Sequence, residues 1–146
     1  MAQNVQAEEK LEGFINKLAS LGYEVREVRK KPRIYSINGE LVNIRSRTTF
    51  DQRTYGRRFW YSVHFSVLQE VKWVIYLTTG SDYFTMFPSS FLESLKERVY
   101  PDKKNAGVGV FDIDWDNEMI VLKQGEVIDI GEYYHNLIHP ADYPRF

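Results

Sequence analysis

Ten basic residues crowd one stretch of this chain: Arg26, Arg29, Lys30, Lys31, Arg33, Arg45, Arg47, Arg53, Arg57 and Arg58. Three acids, Glu27, Glu40 and Asp51, share that stretch, so its local net charge is +7. Such clusters attract phosphates through Coulomb steering and counterion release. Eight of the ten are arginines, whose planar forks suit phosphate oxygens and guanine edges. Arg45 and Arg47 share strand parity, which predicts side chains on one face about 7 Å apart, near the spacing of successive phosphates along a strand. Arg53, Arg57 and Arg58 follow in or beside a polar loop from which long side chains can reach a groove. Tyr55 and Trp60 add aromatic surface that can stack on bases or wedge against them. From Asp102 onward the balance reverses, with nine acids against four bases and a net charge of −5. In the opposing reading the basic stretch is a solvated strand face, or is paired by those tail carboxylates.

Other constellations point to structure. Asp112, Asp114, Asp116 and Glu118 suggest a calcium loop, but an EF-hand counted from Asp112 needs Gly at its sixth position and Glu at its twelfth, where this chain has Asn117 and Lys123. Strand alternation explains the run better, with Phe111, Ile113 and Trp115 inward and Asp116-Asn117 as a turn. No metal site is therefore expected there. His135 and His139 lack the neighbouring Glu of a zinc peptidase, and the chain has no cysteine for a structural zinc site. His64, between Ser62 and Ser66, has no nucleophile elbow around it. Gly107 and Gly109 lead into a strand and lack the lysine of a phosphate loop.

The elements must carry these groups. The chain has 146 residues, 43% hydrophobic and 15% aromatic, which suits one domain with a real core. The absence of cysteine excludes disulfides and thiolate chemistry. No signal peptide or membrane span is visible, so a cytoplasmic protein without a membrane partner is expected. Leu11, Phe14, Ile15, Leu18 and Leu21 predict a helix over 7–21, stopped by Gly22, with Glu8, Glu9 and Glu12 in its first turns. A strand follows over 23–29, then a hairpin of 33–37 and 40–48 turned at Asn38-Gly39. An aromatic-faced strand is expected over 59–67, a short turn or helix over 68–72, and an apolar central strand over 73–78. A strand over 83–87 precedes a helix opened by a Ser90/Glu93 capping box. Strands over 108–115, 118–122 and 126–130 and a short helix through Leu137 complete the order. This is an α+β domain with a mixed or mostly antiparallel sheet, flanked by an N-terminal, a middle and a short C-terminal helix.

Leu41-Val42-Asn43-Ile44-Arg45-Ser46-Arg47-Thr48, Arg58-Phe59-Trp60-Tyr61-Ser62-Val63, Trp73-Val74-Ile75-Tyr76-Leu77 and Phe87-Pro88-Ser89-Ser90-Phe91-Leu92, in that element order, resemble the core of restriction-endonuclease-like proteins. The resemblance covers residues 7–95 and leaves the acidic meander and short helix of 106–146 outside it. It implies a DNA-binding protein in a restriction, phage-defence or mobile-element setting. Such nucleases hold Mg²⁺ between an Asp and an acid-x-Lys triplet. The hairpin strand offers only Asn43-Ile44-Arg45 or Arg45-Ser46-Arg47, with no carboxylate. The resemblance thus implies either a core that has lost its metal site, needing no cofactor, or an active nuclease built from Asp51, Glu70 and Lys72 with Mg²⁺. A protein-interaction module, or a homodimer in which basic and acidic ends meet, is the alternative from another class.

Overall fold

The computed structural model describes residues 2–47, 58–79 and 81–137, apart from the side chains of 2–4, 58 and 59. Helix α1 spans Ala2–Ser20. It begins five residues before the expected start, so Glu8, Glu9 and Glu12 lie beyond its first turn and not at its positive end. The apolar spacing over 7–21 marks only the part that packs. Gly22, at φ +93°, closes it. The amides of Gly22 and Tyr23 donate to the carbonyls of Ala19 and Leu18, a Schellman close that needs the left-handed residue glycine tolerates.

Strands β1 (Val25–Lys30), β2 (Arg33–Ile37) and β3 (Glu40–Arg47) form an antiparallel meander. The imperfect alternation of β1 has a cause: its register shifts between Glu27 and Arg29, leaving Val28 bulged and exposed. Asn38 and Gly39 both take positive φ, 50° and 83°, as a two-residue hairpin turn requires. The chain then crosses to β4 (Arg58–His64) in a different sheet. Helix α2 (Phe65–Leu68) starts where the aromatic strand was expected to continue to 67. Phe65, Val67 and Leu68 are all buried there, a burial that strand alternation cannot give. Strand β5 (Trp73–Thr78) returns to the first sheet and pairs in parallel with β3, and β6 (Tyr83–Pro88) runs antiparallel beside it.

Helix α3 covers Ser89–Glu93. Pro88 holds its N-cap position without a side-chain cap, so the expected Ser90/Glu93 box does not form; Ser89 donates its hydroxyl to the Val71 carbonyl. Next come β7 (Tyr100–Pro101), β8 (Val108–Asp114), β9 (Met119–Val121) and β10 (Val127–Asp129). The expected C-terminal helix is instead a 3-10 turn, Gly131–Tyr133, and a strand β11, Tyr134–Asn136. The open edge of β6 captures that segment, Tyr134 opposite Thr85 and Asn136 opposite Tyr83. Edge pairing outweighs the weak helical pattern.

The class is α+β, but the strands divide into two sheets: β1-β2-β3-β5-β6-β11, and β10-β9-β8-β4 with β7 beside β8. The residues after 106 are woven into both, β8 against β4 and β11 against β6. Strand β5 is covered on both faces, as its apolar run predicts. Ile75 and Leu77 join Leu11, Phe14, Leu18, Val42 and Ile44 in a core under α1. Val74 and Tyr76 join Tyr61, Phe87, Phe111 and Ile113 in a core between the sheets. Tyr76, fully buried, has Tyr61, Phe111 and Phe87 at 5.3, 5.5 and 6.0 Å, all edge-on, and donates its hydroxyl to the Ser62 carbonyl at 3.0 Å. Gly109 has a packing reason: a β-carbon there would stand 2.4 Å from Val99 Cγ2.

Urea denaturation should rank three variants. Tyr76→Ala is expected to cost about 3–5 kcal/mol and Tyr76→Phe about 0.5–1.5 kcal/mol, the latter reporting the Ser62 hydrogen bond. Gly109→Ala should cost about 1–3 kcal/mol through overpacking against Val99. A neutral Tyr76→Ala would show that this ring does not join the sheets.

Candidate functional site

The crossing from β3 to β4 and back to β5 leaves a cleft of about 730 Å³. Strand β3 contributes Asn43 to Arg47, β4 contributes Trp60, Tyr61, Ser62 and His64, and the β1–β2 turn contributes Arg29 to Arg33. Adjacent β4 residues line it because β4 is the last strand of its sheet, and an edge strand shows its neighbour both side chains and backbone.

Register explains the charge. Asn43, Arg45 and Arg47 stand beside Val74, Tyr76 and Thr78 of β5, on the face turned toward the second sheet. Val42 and Ile44 point the other way, under α1. The shared face expected for Arg45 and Arg47 is therefore present. Arg45 Nη2 donates to Ser62 Oγ at 2.9 Å. The Arg47 guanidinium lies 4.7 Å from the centroid of the Trp60 ring, a cation–π contact, while Trp60 stays 51% exposed. Arg47 Nε is buried without a hydrogen-bond partner among the described residues.

Among the described residues, six basic side chains and one carboxylate line the cleft: Arg29, Lys30, Lys31, Arg33, Arg45 and Arg47 against Glu70. Glu70 accepts from Arg29 Nη2 at 2.9 Å, and Arg33 bonds Glu8 of α1 at 2.5 Å. Such half-exposed pairs are weak and leave Lys30, Lys31, Arg45 and Arg47 without a carboxylate partner among the described residues. Asp112 and Asp114 stand opposite Trp60 and Arg58 in the β4–β8 register, so tail carboxylates share the face that Trp60 presents.

Two groups at the cleft have displaced protonation. Burial, reinforced by the Arg45 cation, holds His64 below the ordinary histidine range, with Asp102 pulling the other way. Burial pushes the Tyr61 phenol up to about 12, and its oxygen accepts from Trp115 Nε1 at 2.9 Å. At neutral pH Tyr61 is a neutral structural post.

Of the residues marked from sequence, Arg45, Arg47 and Trp60 meet in this cleft. Arg58 begins β4, and its side chain, with Asp51, Arg53, Tyr55 and Arg57, lies outside the described residues. Glu70 and Lys72 flank Val71 between α2 and β5 and have different partners: Arg29 for Glu70, Glu40 for Lys72. Among the described residues no group of three His, Cys, Asp or Glu side chains is arranged to hold a metal ion. Of the Asp51, Glu70 and Lys72 set, Asp51 lies outside the described residues and Glu70 accepts from Arg29. Asp114 caps the turn after β8, accepting from the amides of Asp116 and Asn117. His135 lies on β11, not on a helix, opposite Phe84. Lys30 and Lys31 belong to the basic cluster read from sequence, whereas Ser62 and His64 carry no binding role in that reading. Their charge and parity were visible in sequence; the neighbourhood of β3 and β4 was not.

Comparisons with family models, curated proteins and solved structures give no match to this chain. No helix among the described residues is long and apolar enough to cross a membrane.

The His64 environment sets a pH dependence. Unfolded chains take up the His64 proton at a higher pH than the folded protein, so this group lowers folding stability as pH falls from the ordinary histidine range toward the folded value. Urea midpoints at neutral and mildly acidic pH should therefore separate more in wild type than in His64→Gln. Equal separations would mean that the cleft does not perturb His64.

Proposed function

We propose that the cleft between β3 and β4 binds nucleic acid, DNA first of all, by its phosphates. One observation carries this reading: Arg45 and Arg47 share a face with no carboxylate partner among the described residues, across from Lys30, Lys31 and Arg33. Like charges held together raise the free energy of the unliganded protein, and a polyanion relieves that repulsion while releasing its own counterions. Arginine forks on a rigid strand suit fixed phosphate oxygens, and lysines on a turn suit a moving backbone.

The elements described from α1 to α3 follow the order on which the restriction-endonuclease-like resemblance rests, with β4 in the second sheet; such a core, and its restriction or defence setting, stays part of the proposal on that resemblance alone. The proposal is one of binding; Glu70 and Lys72 pair with Arg29 and Glu40, and Asp51 lies outside the described residues.

The test is fluorescence anisotropy with labelled duplex DNA over a salt series. Replacing Arg45 and Arg47 together by Gln should weaken binding to all sequences alike and flatten the log-affinity against log-salt slope by about 2. Absence of salt-sensitive affinity for duplex, single-stranded DNA and RNA would sink the reading in favour of a protein-interaction surface.

A further inference from the structure

The cleft has features that phosphate binding alone leaves unused. Trp60 is a large aromatic side chain kept 51% exposed inside a basic cleft. One region of its ring is closed by the Arg47 guanidinium at 4.7 Å. The remaining surface is a planar platform beside cations. Arg47 Nε is a buried donor without an acceptor among the described residues, so the guanidinium is held against the Trp60 ring by packing and charge and not by a hydrogen bond from that atom. Ser62 and His64 follow Trp60 at two-residue steps, on the same face of β4 and on the same cleft wall.

Size and shape select among nucleic acids. A concavity of about 730 Å³ falls within the range of small-ligand sites, about 300–1,000 Å³. An intact duplex is a convex rod whose bases are stacked on one another, and its groove edges are framed by phosphate ridges. It can touch the rim lysines, but it offers no base face to Trp60. An unpaired nucleotide offers one, and base–aromatic stacking accepts any base because every base has a π-face.

We infer that the cleft seats an unpaired nucleotide, its base stacked on Trp60 beside Arg47 and its phosphates held by Arg45, Lys30 and Lys31, so that the protein prefers single strands and unpaired positions to intact duplex. This rests on the phosphate-binding reading and makes it specific. Ser62 and His64 face the edge of the stacked base. Neutral at physiological pH, His64 can both donate and accept there.

Anisotropy with three labelled probes tests it: a short single-stranded oligodeoxynucleotide, its perfect duplex, and that duplex with one bulged base. Wild-type protein should bind the single strand and the bulged duplex about tenfold or more tighter than the perfect duplex. Trp60→Ala should remove that preference, losing about tenfold to a hundredfold on the single strand, the worth of one stack. Trp60→Phe should retain most of it. Trp60→Leu, which keeps apolar bulk without a ring, should behave like Trp60→Ala and excludes a merely structural loss. Equal affinity for all three probes, unmoved by Trp60→Ala, would overturn the inference and leave phosphate binding standing. Loss of salt-sensitive binding to every probe would overturn both.

Discussion

Tyr76 joins the two sheets, and the rest of the structure depends on that junction. Its ring lies at the centre of the inter-sheet core, edge-on to Tyr61, Phe87 and Phe111. Its hydroxyl, kept protonated by burial, donates to the Ser62 carbonyl and holds β4 beside the first sheet. One strand over, in parallel register, Arg45 donates to the hydroxyl of the same Ser62. The hydrophobic contact that closes the core and the polar contact that begins the cleft are adjacent. A change in how Tyr76 packs therefore moves β4 relative to β3.

The cleft exists because the second sheet covers only part of the first. Over β5 and β6 the facing side chains are Val74, Tyr76 and Phe87, and they are buried against Tyr61, Phe111 and Ile113. Over β3 the same face carries Asn43, buried and donating to the Arg33 carbonyl, and then Arg45 and Arg47, whose charges resist burial without partners. Leaving that end of the face open limits their desolvation and keeps six cations among the described residues around one concavity. Stability and charge are thus arranged on the two sides of one parallel strand pair: Ile44 and Val42 beneath α1, the arginines toward the cleft.

Much of the fold was legible in the sequence. The apolar run 73–78 is β5 to the residue, because Val74 to Leu77 are buried on both faces and Lys72 and Thr79 bound the run. Asn38-Gly39 gives the hairpin turn because both residues must take positive φ. Phe111, Ile113 and Trp115 face inward because alternation permits nothing else. The failures share a cause in long-range pairing. Local residues cannot announce that β4 leaves for a second sheet, that β6 has an edge for Tyr134–Asn136 to fill, or that a bulge at Val28 breaks the pattern of β1. The site followed the same division. Parity placed Arg45 and Arg47 together, whereas the approach of Lys30, Lys31 and Trp60 to them depends on a crossover that sequence does not encode locally.

The central claim is that this cleft, and not the basic segment as a diffuse charged surface, receives nucleic acid. Amide and side-chain ¹⁵N–¹H NMR spectra, recorded while a short oligodeoxynucleotide is added, test it most directly. Binding in the cleft predicts large shifts for the Arg47 Nε–H, the Trp60 indole N–H and the amides of Arg29–Arg33, Asn43–Arg47 and Trp60–His64, with the C-terminal half of α1 and β9–β10 unmoved. Shifts spread evenly over all exposed basic residues, or centred away from Arg47 and Trp60, would contradict it.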